Sequence, residues 1–254
     1  EEVGAVVVLG GDGTLNEAAN GLVGTGCALG VLPGGSTNVF ARTIGMASDP
    51  VEATGQLLAG LAHGRIRSIS LGSVNGRYFL FHTGVGFDAS VVAQVERRAG
   101  LKRWAGHPLF VYAAFATWFR HYDRSRPRFA VHLPDGEVVA DGYLGIVFNT
   151  NPYTFLGRAP LNVAPDAGFD GPLVAVTFRT LALPTMLVLA ASALRSGRLL
   201  RNHPLVDYRT ELRTLRVIGH GPVPYQVDGE YLGEADELVF HHVPDALRLV
   251  LPGL

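Results

Sequence analysis

The sequence predicts a mixed α/β protein: an α/β unit over residues 1–66, then a β-rich, sandwich-like region over 67–254 with helical insertions. Three observations carry that expectation. Two apolar runs, Ala5 to Leu9 and Ala28 to Leu32, each lead into a glycine-rich loop and a helix-like segment. The loops, Gly10-Gly11-Asp12-Gly13-Thr14 and Pro33-Gly34-Gly35-Ser36-Thr37-Asn38, recur at once, which places two helix starts at one edge of a parallel sheet. From about Arg67 onward the pattern changes to strand-like runs separated by turn residues.

The elements follow in chain order. Thr14-Leu15-Asn16-Glu17 has capping-box spacing and sets the expected start of the first helix, while Asn20-Gly21 and Gly24 stop it. Asp49-Pro50 supplies a cap and a first-turn proline to a further helix, striped by Val51, Leu57, Leu58 and Leu61 and ended by Gly64. Asn75-Gly76 is a hairpin signal between strands at 68–74 and 77–83. Helical segments are expected at 89–98 and 109–121. Strands are expected at 128–133, 137–149, 173–178, 212–218, 223–227, 237–243 and 247–251, the last of them a candidate to return to the first unit. Pro134-Asp135-Gly136 marks a turn.

Composition narrows the class. With 254 residues, 48% hydrophobic and 17% charged, the chain can bury one large or two modest cores. A net charge of −1 argues against a nucleic-acid binder. Cys27 stands alone, permits no internal disulfide and is expected to be a small buried residue. His241 and His242 are adjacent, so on a strand they point to opposite faces and cannot chelate together. The apolar stretch 181–194 is too short to span a bilayer and reads as a packed helix.

The glycine loops point to chemistry. Helix N-termini offer free N–H groups and a positive dipole end, which suit phosphate. Asp12 within such a loop would repel phosphate unless a divalent cation lay between them, so the pair of loops reads as a metal–nucleotide site. Asp228 and Glu230 are spaced to share one side of an extended segment, although Asp228-Gly229-Glu230 also reads as a plain turn. Asp88 follows Gly84-Val85-Gly86-Phe87 and could equally cap a helix. The aromatics Trp104, Phe110, Tyr112, Phe115, Trp118, Phe119 and Tyr122 read as core or as the wall of an acyl-chain cleft. Arg97, Arg98, Lys102 and Arg103 before them read as a solvated helix end or as a contact for anionic headgroups.

The run from Gly10 to Leu22 and the run from Leu32 to Arg42 resemble the diacylglycerol kinase catalytic-domain family, which includes bacterial lipid kinases and sphingosine and ceramide kinases. Resemblance continues at 84–89, 165–171 and 227–230, although Val39 replaces an aspartate usual in the family. The resemblance implies an ATP- and Mg2+-dependent kinase that phosphorylates a lipid hydroxyl, diacylglycerol first, at the inner membrane face of the cytoplasm. Further strand–helix units are expected ahead of Glu1, and homodimerisation is left open. Gly10, Gly11, Asp12, Gly13, Thr14, Leu15, Asn16, Gly35, Ser36 and Asn38 would hold the nucleotide. Glu230 would be the general base, with Asp12, Asp88 and Asp228 supporting catalysis. Asp170 with the carbonyls of Ala167 and Pro172 would hold a structural Mg2+. A kinase of the NAD kinase type and an inactive lipid-binding remnant are the alternatives.

Overall fold

The computed structural model describes residues 4–97, 116–118 and 122–253. The expected helix at 109–121 lies outside these except for residues 116–118. So do Arg98, Lys102 and Arg103 of the basic cluster, and all of the aromatic group but Trp118 and Tyr122.

Strands β1 (Ala5–Gly10) and β2 (Ala28–Pro33) pair in parallel, and helix α1 (Asp12–Leu22) connects them. The helix begins three residues earlier than Thr14-Leu15-Asn16-Glu17 implies. Its N-cap is Gly11, without a side-chain bond, so Thr14 stands inside the first turn and Glu17 pairs with Arg77 instead of closing a capping box. A short α2 (Val39–Thr43) follows. In α3 (Pro50–Ala62), Asp49 caps as expected, accepting from Val51 N and Glu52 N at 3.0 Å. The expected stripe is rotated: Ala53, Leu57 and Gly60 are buried, whereas Val51 and Leu58 are exposed. Residues 251–253 run along that face, so close to Gly60 that a Cβ there would overlap Leu251 O.

The Asn75-Gly76 hairpin forms with φ of 48° and 87°, joining β3 (Ile66–Val74) to β4 (Arg77–Phe79), as a type I′ turn requires. Then come β5 (His82–Gly86), α4 (Phe87–Glu96), β6 (Phe129–His132), β7 (Val138–Gly142) and β8 (Leu144–Phe148). The run at 137–149 is thus two strands, because β7 pairs with β6 while β8 pairs with β5. A separate hairpin holds β9 (Thr154–Leu156) and β10 (Ala159–Leu161). Next are β11 (Leu173–Phe178), α5 (Leu183–Arg195), α6 (Arg198–Asn202) and β12 (Val206–Leu212). Two long strands, β13 (Thr214–Val227) and β14 (Glu230–Val250), absorb the four short ones expected there. Register shifts at Ile218/Val223 and Val243/Leu247 mark bulges, which let strands of that length bend.

The main sheet runs β1-β2-β14-β13-β5-β8-β11-β12, with β3, β4, β6 and β7 attached to its sides. The mixed α/β class therefore holds. Leu247, Leu249 and Val250 pack in one cluster with Leu15, Ala28 and Leu29. On that basis we propose that the last strand completes the unit built by residues 1–66 rather than belonging wholly to 67–254. Cys27 is half-buried at the chain's approach to β2, more open than expected of a core thiol. Trp118 packs on the core and Tyr122 is buried in it, donating to Tyr143 O at 2.6 Å, which fits the core reading of those two aromatics. His241 is exposed and His242 half-buried, as strand alternation requires.

Candidate active site

The two glycine loops meet backbone to backbone. Gly34 N donates to Gly10 O at 2.9 Å, and a Cβ on Gly35 would sit 2.7 Å from Gly11 Cα. These glycines are required first by each other, because no side chain fits between the loops. Asn38, at φ 51°, closes the second loop by donating to Gly35 O and accepting from Gly35 N.

Asp12 answers the charge problem differently from the expectation. Its carboxylate accepts from Val39 N at 2.9 Å and Phe40 N at 3.0 Å, the first two N–H groups of α2. The second helix start is therefore already occupied by an internal anion and is not an open phosphate site. The cleft is left with the start of α1, where Gly11, Asp12 and Gly13 form the wall with Gly35 and Ser36.

Facing that wall is the β13–β14 turn. Asp228 and Gly229 have φ of 48° and 81°, so the segment is a tight turn and not extended. The two acids consequently part company. Asp228 turns inward, 4% exposed, and accepts from Leu80 N, Phe81 N, His82 N and Asn16 Nδ2 at 2.7 to 3.1 Å. Burial pushes its carboxyl up to about 6, against the pull of those donors. Glu230 points into the cleft with its side chain 47% exposed, and Arg77 Nη2 lies 3.6 Å from its Oε2.

Behind the turn, four side chains close a ring. Tyr153 Oη donates to Asp88 Oδ1 at 2.6 Å, and Gln226 Nε2 donates to Asp88 Oδ2 at 2.8 Å. Gln226 Nε2 also lies 3.1 Å from His82 Nδ1, and Gln226 Oε1 accepts from Gly229 N. His82 Nε2 reaches Tyr153 O at 3.1 Å, and its ring stacks on Tyr153 with centroids 4.5 Å apart. One proton arrangement satisfies all of them: a neutral His82 that donates from Nε2 and accepts at Nδ1. Burial lowers His82 to about 4 and raises Asp88 and Tyr153. Gly84 has no room for a Cβ, which would overlap Asp88 Oδ2.

The cleft between loops and turn has a volume of about 480 Å3. An apolar chamber of about 160 Å3, with Asp88 among its walls, adjoins it, and Tyr153 lines both. Of the residues expected to hold nucleotide, Gly11, Asp12, Gly13, Gly35 and Ser36 line the cleft. Leu15 and Asn16 do not: each is 1% exposed, Leu15 in the core and Asn16 bracing Asp228. Gly10 and Thr14 pack against each other, and Asn38 serves its own loop. His82, Gln226, Tyr153 and Arg77 were not anticipated. Only Asn151-Pro152, a loop signal just before Tyr153, and the turn just before Arg77 hinted at them. Asp170 is exposed and ion-paired with Arg67, away from the cleft's lining.

The family model for the diacylglycerol kinase catalytic domain matches residues 1–74. A "Probable lipid kinase YegS-like" protein of Pseudomonas aeruginosa is 30% identical over 249 residues, covering 97% of this chain and 76% of that one. A diacylglycerol kinase of Bacillus subtilis is 41% identical over 88 residues, which is 34% of this chain and 28% of its own length. A crystal structure of a diacylglycerol kinase from Bacillus anthracis superposes with a TM-score of 0.70 at 17% identity, covering 98% of this chain and 77% of that one, a likeness of fold. Together these place the molecule among phosphotransferases that act on an alcohol group. More particularly, the chain belongs to the family of diacylglycerol kinase-like lipid kinases. Membership implies ATP as co-substrate and a lipid as acceptor.

Proposed function

We propose that this chain transfers the γ-phosphoryl group of ATP to the free hydroxyl of diacylglycerol, giving phosphatidic acid and ADP. One observation carries the reading: the glycine loops and Glu230 face each other across one cleft, with an apolar chamber at its back. Phosphate fits the α1 start, an acyl chain fits the chamber, and the hydroxyl then lies between phosphate and carboxylate.

The chain's own residues divide the work. Gly11, Gly13, Gly35 and Ser36 cradle the phosphates with little side-chain bulk in the way. Asp12 acts as a positioning residue that ties the first loop to α2. As the bond between the γ-phosphorus and the bridging oxygen breaks and the lipid oxygen–phosphorus bond forms, Glu230 takes the hydroxyl proton. Asp228 anchors the turn that presents Glu230, and the His82–Gln226–Asp88–Tyr153 ring holds the turn from behind.

Mg2+ suits oxygen donors, and when bound with the nucleotide it would neutralise phosphate charge beside the Ser36 hydroxyl, the Asp12 carboxylate keeping for it only the lone pairs that Val39 N and Phe40 N leave. A second Mg2+ is proposed at Asp170 with the carbonyls of Ala167 and Pro172; there Arg67 now satisfies the carboxylate, so ion and guanidinium are alternatives. No helix among the described residues is long and apolar enough to cross a membrane, and the proposed setting is the inner membrane face of the cytoplasm.

The test is labelled ATP with the full-length protein and a panel of diacylglycerol, a sphingoid base, ceramide and a glycolipid precursor, with NAD as control. Label in phosphatidic acid is expected. Label in NAD alone, or in none, overturns the reading.

A further inference from the structure

Helix α5 is apolar where a surface helix should be polar. Met186, Leu189 and Ala193 of α5 face inward and line the chamber. Its outward positions are no more polar: Leu187 is 56% exposed, Val188 53% and Leu194 42%. Leu199 in α6 and Leu205 just beyond continue the exposed set. A helix that is apolar all round belongs in a core or a membrane, and an exposed apolar face of this extent marks an interaction surface.

Within this segment itself the charge has one sign. Residues 179–205 contain Arg179, Arg195, Arg198 and Arg201 and no Asp or Glu. Arg179 and Arg201 are engaged with Asp141 and Asp166. Arg195 and Arg198 are exposed, and neither has an ion-pair partner among the described residues. Apolar side chains beside unpaired arginines match the boundary between acyl chains and anionic headgroups. The chamber behind α5 adds a second reason. Its walls are apolar up to Asp88 and Tyr153, so the exposed apolar face and the apolar chamber lie on the two sides of one helix.

We propose that the α5–α6 face docks on an anionic lipid bilayer, with Leu187, Val188, Leu194 and Leu199 in the interface and Arg195 and Arg198 on lipid phosphates. The lipid kinase reading supplies the reason for docking there; the docking itself does not need catalysis. The experiment is flotation of the chain, without ATP, on phosphatidylcholine vesicles with and without phosphatidylglycerol. Binding is expected to require the anionic lipid. Arg195→Glu/Arg198→Glu should weaken it at least about tenfold. Leu187→Ser/Val188→Ser should weaken it about tenfold. These positions are exposed, so both variants should keep the wild-type melting temperature, and turnover of a short-chain, water-soluble acceptor should stay within about twofold, since neither pair lines the cleft.

Vesicle binding that neither double variant weakens overturns the proposal. So does a lipid-free dimer that Leu187→Ser/Val188→Ser dissolves, because a second copy would then cover the face. Vesicle binding by a chain that phosphorylates no lipid alcohol supports docking and removes the kinase reading. Turnover by a chain that floats with no vesicle does the reverse.

Discussion

The two walls of the cleft are built on opposite plans. The glycine-loop wall is local and made largely of backbone: Gly34 bonds Gly10, and Asp12 bonds residues 27 and 28 positions away. The acceptor wall is distant and made of side chains: Asp88 meets Tyr153 and Gln226 across 65 and 138 positions, and Gln226 meets His82 across 144. Where backbone does the work, glycine spacing shows it. Where strands far apart in the chain converge, no short motif does.

The sharpest test of that division is Glu230→Gln, which keeps size and hydrogen bonding but cannot take a proton. We expect kcat to fall roughly 10²–10⁴-fold with ATP affinity nearly unchanged. Turnover within a few-fold of wild type would move the base elsewhere.

The acceptor wall should also respond to pH. His82 titrates at about 4 in the fold and near 6.5 unfolded, so the unfolded chain binds more protons between those values. Its contribution is complete above pH 6.5 and is lost as pH falls through about 4, up to about 3 kcal/mol. Asp228 works in the opposite sense, its contribution being present below 3.8 and lost as pH rises through about 6. Denaturant unfolding of wild type and His82→Gln isolates the histidine, because Asp228 is common to both. Parallel pH profiles would show that His82 is not held neutral by the ring.

On the loop wall, Asp12→Asn keeps one acceptor oxygen and loses the charge facing α2. We expect a loss of about 1–2 kcal/mol in stability as well as a lower turnover. A variant with wild-type stability and no activity would return Asp12 to a purely catalytic role. The smallest effect concerns Asp170. If Mg2+ displaces Arg67 there, added Mg2+ should raise the melting temperature by a few degrees without nucleotide, and Asp170→Ala should abolish the rise. A wild-type melting temperature indifferent to Mg2+ would remove that site.

What could be read in advance follows the same division. The Asn75-Gly76 hairpin, the Asp49 cap and both glycine loops are short-range chemistry, and each stands where the residues indicated. The α3 stripe misled because hydrophobic spacing cannot say that residues 251–253 will cover one face; Val51 and Leu58 ended outside. Asp228 and Glu230 were separated because a left-handed Asp228 folds the segment back on itself. His82 and Gln226 carry no local mark at all: each is a polar residue in an otherwise ordinary strand, made meaningful only by β5 pairing with β13.

That long final strand has a further consequence, in time rather than in space. β14 pairs with β13 at its start, and at its end Arg248 and Leu249 insert beside Ala28 and Leu29, which precede them by most of the sequence. During synthesis β2 therefore waits for residues 248 and 249 before its second edge is covered. Such a closure, spanning most of the sequence, makes assembly slow and leaves an adhesive edge open meanwhile. Loss of only the last few strand residues should then harm the nucleotide unit, distant in sequence, more than the acceptor wall beside it.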